Sequence, residues 1–149
     1  LHWSKLLDVA QVETRDKAVK EAFYTSVYHS HVAPTILSDV DGQYRGADEK
    51  VHQANGFDYY TEISLWDTFR AEQPLMTFTQ PQRVNDLVKT MLAHFKDFGQ
   101  GTLPVWPEGG KETWCMIGNH AIPVILDAYN KGFRDWNANE ALEDMISSV

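Results

Sequence analysis

The sequence predicts an all-α fold of about five or six helices separated by two long loops. Apolar residues recur at spacings of three and four through most of the chain, and prolines and glycines fall where helices should begin or stop. No heptad is sustained, which sets aside a coiled coil. With 149 residues, 43% of them hydrophobic, the chain can bury one ordinary core.

Trp3, Leu6 and Leu7 make the opening segment amphipathic. Thr14 is a plausible cap for a helix from about residue 15 to 32, whose stripe is Val19, Ala22, Phe23, Val27 and Tyr28 and which Pro34 ends. The pattern then breaks, and a loop of roughly 25 residues with room for a small hairpin follows, because Ser38-Asp-Val-Asp-Gly and Arg45-Gly carry turn residues. Periodicity resumes at Tyr59 and is expected to run to about Gln73, with Pro74 as its stop.

Thr79-Gln-Pro81 announces the next helix, with the stripe Val84, Leu87, Val88, Met91, Leu92 and Phe95 and a stop at Gly99. A Gly/Pro-rich second loop covers 100–111. Helix is expected again from Met116 to Phe133, with Pro123 in its first turn or at a kink. Asn137 with Glu140 three residues on resembles a capping box for a last helix. A start at Leu1 already inside an amphipathic pattern, and a close at Val149 without a glycine or basic stop, read as truncations at both ends.

Net charge is −8, from 13 basic and 21 acidic residues, with no basic stripe, which argues against nucleic acid and anionic membranes as partners. No apolar run reaches the ~20 residues of a membrane helix. Cys115 is the only cysteine, so there is no internal disulfide, and it has no base partner nearby in sequence. Asp39-Val-Asp-Gly42 begins like a calcium loop, but the later oxygen ligands are missing, so an aspartate-capped turn is the better reading. The six histidines lack zinc-site spacing. No metal site is expected within the chain.

The segment from Gly56 to Arg70 packs five aromatic and four charged residues into fifteen positions. Sugar sites use that mixture, because an aromatic face covers the C–H patch of a pyranose while a carboxylate accepts from adjacent hydroxyls. Trp66 beside Asp67 could supply both. The plainer reading buries Trp66 and pairs Asp67 with Arg70 across one turn. Lys111-Glu-Thr-Trp-Cys-Met-Ile-Gly-Asn-His120 has the same two readings, with Glu112 either a cap or, with His120, part of a pocket mouth.

Phe23-Tyr-Thr-Ser-Val-Tyr-His-Ser, Ser38-Asp-Val-Asp-Gly-Gln-Tyr-Arg-Gly, Gly56-Phe-Asp-Tyr-Tyr, Ser64-Leu-Trp-Asp-Thr-Phe-Arg and Glu112-Thr-Trp-Cys-Met-Ile-Gly-Asn-His occur in this order. Together they resemble glycoside hydrolase family 92, the calcium-dependent exo-α-mannosidases. The resemblance implies that residues 1–149 are part of one catalytic (α/α)6 barrel, in a parent that also carries a β-sandwich. It implies removal of terminal α-linked mannose from glycans with inversion, and an extracytoplasmic bacterial setting. Trp66 and Asp67 inherit the mannose-binding role, while Glu112, Thr113, Cys115 and His120 match a motif and are candidate pocket residues. The family's acid and base motifs do not occur here, so no catalytic residue is expected in this fragment. Calcium is expected to be held outside it, and the fragment alone is expected to be inactive and to self-associate through uncovered apolar faces. The competing readings are a non-catalytic carbohydrate-binding helical module and a protein-interaction domain with Trp66 merely packed.

Overall fold

A computed structural model describes residues 2–149, so the expectation at Leu1 lies outside it. The chain divides into two compact units, Leu1–Pro34 and Thr35–Val149. Seven helices and six strands of two or three residues are present among the described residues, so the helical expectation holds with small hairpins added.

The first unit holds α1 (His2–Leu7) and α2 (Lys17–His29). The N-cap of α2 is Asp16 rather than Thr14: the Asp16 carboxylate accepts from the backbone N–H of Ala18 and Val19, and Thr14 Oγ1 accepts from the N–H of Asp16. The rings of Trp3 and Tyr28 meet at 4.9 Å, yet no residue of α2 is buried.

In the second unit, β1 (Thr35–Ile36) pairs antiparallel with β4 (Tyr60–Thr61). Between them β2 (Gln43–Arg45) and β3 (Val51–Gln53) form the hairpin for which the first long loop has room. The helix expected from Tyr59 to Gln73 is not formed as such. The Tyr59-Tyr-Thr cluster suits extended backbone, and the Tyr60 N–H donates to Thr90 Oγ1 at 3.1 Å, which holds the segment in strand geometry. Helix appears only as α3 (Leu65–Thr68) and then α4 (Glu72–Thr79). Pro74 lies in the first turn of α4 instead of stopping a helix, because a first turn has no acceptor for the N–H that proline lacks.

The central element is α5 (Pro81–Phe98), which starts on Pro81 and ends at Gly99 in the left-handed conformation (φ 65°). Its stripe of Val84, Leu87, Val88, Met91 and Leu92 is buried, with Phe95 partly so. Against it pack α4, α6 (Ala121–Asn130) and α7 (Ala138–Ser147). Ile63, Leu65, Met76, Leu103, Val124, Ile125, Ala128, Ala141 and Met145 complete the core.

The second long loop carries β5 (Pro107–Glu108) and β6 (Lys111–Glu112). The expected helical start at Met116 is displaced to Ala121, because Trp114, Met116 and Gly118 all have positive φ. Pro123 sits in the first turn of α6, as its missing N–H requires. Asn137 caps α7 by accepting from Asn139 and Glu140 N–H. Glu140 turns its carboxylate to Lys96 at 2.5 Å instead of closing a reciprocal box.

Candidate functional site

Leu65 is fully buried and fastens α3 to the core, and its two neighbours face outward: Trp66 is 38% exposed and Asp67 is exposed. Trp66 is therefore not a core residue. The Asp67–Arg70 pairing of the plainer reading is not formed either, since the Arg70 guanidinium lies 4.8 Å from the Phe69 ring centroid. Among the described residues the Asp67 carboxylate has no ion pair. An exposed indole next to a carboxylate without a protein partner is able to take a ligand with an apolar face and neighbouring hydroxyls.

His120, at the N-cap position of α6, joins this pair. Its ring stacks on Phe69 at 4.1 Å and 10°, and meets Trp66 edge-on at 5.5 Å and 62°. Its Nε2 is buried and has no hydrogen-bond partner among the described residues. Phe69 escaped the sequence reading, although its position three residues after Trp66 places it on the same side of a helical turn.

Glu112 and Thr113 sit at the base of the same loop and organise it. The Glu112 side chain is 1% exposed. Its carboxylate accepts from the backbone N–H of Val105 at 2.8 Å, Trp106 at 2.9 Å and Trp114 at 3.0 Å. Thr113 Oγ1 donates to the Trp106 carbonyl at 2.7 Å and accepts from the Cys115 N–H at 3.3 Å. Cys115 is a free, exposed thiol. The loop they hold displays Trp114, Met116 and Ile117, at 50%, 53% and 74% exposure.

Beneath Glu112 lies a residue that the sequence reading missed. His94 Nε2 stands 3.7 Å from Glu112 Oε2, both side chains are 1% exposed, and among the described residues neither His94 ring nitrogen has a hydrogen-bond partner. Burial pushes the His94 imidazole below its ordinary value of 6.5, against the pull of Glu112 and Asp97. The signal was available: His94 follows Met91 by three on the buried stripe of α5.

A second polar cluster ties the β2–β3 hairpin to α5. Tyr44 donates to Asp97 at 2.8 Å, and His52 lies between Asp48 at 2.8 Å and Asp97 at 3.4 Å. Burial and the Asp97 bond push the Tyr44 hydroxyl up, while the His52 bond holds Asp48 well below the usual carboxylate range. The cluster borders a cleft of ≈ 380 Å³ that also reaches Phe57, Lys96 and Trp136 but not Trp66 or Asp67. Asp41, the other half of the calcium-like string, accepts from the backbone and side-chain N–H groups of Gln43, as a turn aspartate does. Among the described residues no three His, Cys, Asp or Glu side chains are grouped to hold a metal ion.

Comparison with known proteins covers the whole chain. The model of the glycosyl hydrolase family 92 catalytic domain matches residues 1–149. The chain is similar to the family GH92 alpha-mannosidase BT3965 of Bacteroides thetaiotaomicron, with 41% identity and a TM-score of 0.93 over 98% of this chain and 20% of that one. That enzyme also has a structure in complex with mannoimidazole, against which the TM-score is 0.91. Similarity extends to the inverting mannosidase BT2199 of the same organism, at 28% identity and a TM-score of 0.87 over 97% of this chain and 19% of that one. The chain thus spans about one fifth of the length of the solved structures it matches. No curated protein sequence matches it.

Proposed function

Because the chain belongs to glycosyl hydrolase family 92, we propose that it is one section of an exo-acting α-mannosidase that removes terminal α-linked mannose from glycans with inversion. Trp66 and Asp67 form part of the subsite for the terminal sugar. The observation that carries this is the exposed Trp66 indole beside the unpaired Asp67 carboxylate, on a short helix pinned to the core by Leu65. The indole covers the C–H face of the mannose ring, and the carboxylate accepts from two of its hydroxyls. Two relatives support the chemistry, one an alpha-mannosidase bound to mannoimidazole and one an inverting mannosidase. A non-catalytic sugar-binding module would use the same pair, but relatedness to a catalytic domain along the full chain favours the enzyme.

Inversion needs a carboxylic acid at the leaving oxygen and a carboxylate activating water on the opposite face, about 6.5–9.5 Å apart. Both belong to parts of the parent outside these residues, so this section binds and orients sugar without cleaving it. Asp41 is engaged in its own turn and is not free to serve as a calcium ligand. Calcium, where it assists, is held elsewhere in the parent. The section belongs to an (α/α)6 barrel in an extracytoplasmic enzyme. In isolation it self-associates through exposed apolar side chains such as Leu126, Leu142 and Ile146.

The test is mannose release from α-1,2-mannobiose by the full-length parent, with calcium and after chelation, and with this chain alone as control. Release by the parent in calcium and none by the chain is expected. Turnover by the chain alone, or no release from any α-mannoside by the parent, would overturn the proposal.

A further inference from the structure

We infer that His120 is a positioning residue that fixes the plane of the Trp66 indole for its sugar; this rests on the sugar-binding reading of Trp66 and Asp67. The need for such a residue comes from α3 itself. It has four residues, and its N-cap Ser64 makes no side-chain cap bond. A helix of one turn does little to restrain a large side chain that it turns toward solvent. Leu65 anchors the backbone, but the 38% exposed indole takes its orientation from what touches its ring.

One ring contact is with His120, edge-on at 5.5 Å and 62°. The imidazole is itself held from two sides. It stacks on Phe69 at 4.1 Å, and Phe69 packs against the main core. On its other edge lies Gly118, with φ +97°, where an added Cβ would fall 2.7 Å from His120 Nε2. A line of contact therefore runs from the core through Phe69 and His120 to Trp66. Nε2 is buried and among the described residues has no partner, so His120 meets Trp66 through its ring and not through that nitrogen. A sugar platform with a preset plane loses less rotamer freedom on binding, and weakening the restraint should appear in KM.

The experiment uses the intact parent enzyme and α-1,2-mannobiose, with melting temperatures read beside the kinetics. His120→Ala should raise KM about 3- to 10-fold while kcat changes less than about twofold, the range that one aromatic contact carries. His120→Phe should bring KM back to within about twofold of the parent value, because it restores the flat ring without any nitrogen. If His120→Ala does not fold, His120→Leu replaces it with the same expectation, since leucine fills space but offers no flat ring. An unchanged KM in the alanine or leucine variant would overturn the inference, as would a phenylalanine variant as impaired as the alanine one. Trp66→Ala separates the two levels. If it leaves KM unchanged, the sugar-binding reading falls and the inference with it. If it raises KM while His120→Ala does not, the inference alone falls.

Discussion

Replacing Glu112 tests whether the loop beside Trp66 is built around a buried carboxylate. The side chain is 1% exposed and accepts three backbone N–H groups, two at Oε1 and one at Oε2. In Glu112→Gln the remaining oxygen can keep the Trp106 and Trp114 donors, while the new amide faces the Val105 N–H. That loses one charge-assisted bond and orphans a buried donor, at about 1.5–3 and 1–3 kcal/mol respectively. Removing a buried charge offsets part of this, and so does the amide donor offered to the orphan His94 Nε2 only 3.7 Å from the carboxylate. The net expectation is a loss of about 2 kcal/mol for glutamine. Alanine orphans all three donors and leaves a cavity, so its loss should reach about 4–5 kcal/mol. Urea unfolding of the chain, followed by circular dichroism at concentrations where the midpoint does not depend on concentration, gives both values. A Glu112→Ala change within about 0.5 kcal/mol of the parent, as for an ordinary surface site, would refute the reasoning.

Other consequences follow from the same packing. His94 is buried with its pKa lowered, so the folded state binds a proton less readily than the unfolded one. Stability is therefore full above the ordinary value of 6.5 and falls as pH drops below it; His94→Leu should flatten urea midpoints measured from pH 7 to 5, and an unchanged slope would count against a buried neutral imidazole. Leu65→Ala should cost about 2–5 kcal/mol in the same assay, because a fully buried anchor is removed, and a loss under about 1 kcal/mol would mean α3 is not fastened through it. Gly99→Ala should cost about 1–2 kcal/mol from the left-handed backbone alone, since an added Cβ meets nothing within 4 Å; a cost-free substitution would contradict the αL stop of α5.

The parts legible in sequence were those where one local rule decides the structure. The α5 stripe, its Pro81 start and its Gly99 stop all appear where periodicity and capping place them. Asn137 likewise caps α7. The errors came where tertiary contacts outweigh periodicity. Tyr60 looks helical by spacing, yet its N–H is taken by Thr90, thirty residues away. Pro74 reads equally well as a stop or a start until the neighbouring backbone is seen. Positive φ at Trp114 and Met116 has no glycine to announce it, so periodicity alone places the start of α6 too early.

The same limit applies to the site. Trp66 and Asp67 stand out because their side-chain chemistry is visible in two adjacent letters, and both are exposed. The support beneath them did not stand out. Phe69 and His120 are 51 positions apart, and their stacking depends on how α3 meets the start of α6. The His94–Glu112 pair joins the middle of a helix to a hairpin strand, a contact that spacing cannot express.

The most direct test of the central claim compares the full-length parent with its Trp66→Ala and Asp67→Asn variants on α-1,2-mannobiose, in calcium, once melting curves show all three folded. Loss of the platform or of the carboxylate should each lower kcat/KM by about tenfold or more, the equivalent of about 1.4 kcal/mol of sugar contact. Variants that keep kcat/KM within about twofold of the parent would show that this face does not hold the terminal mannose.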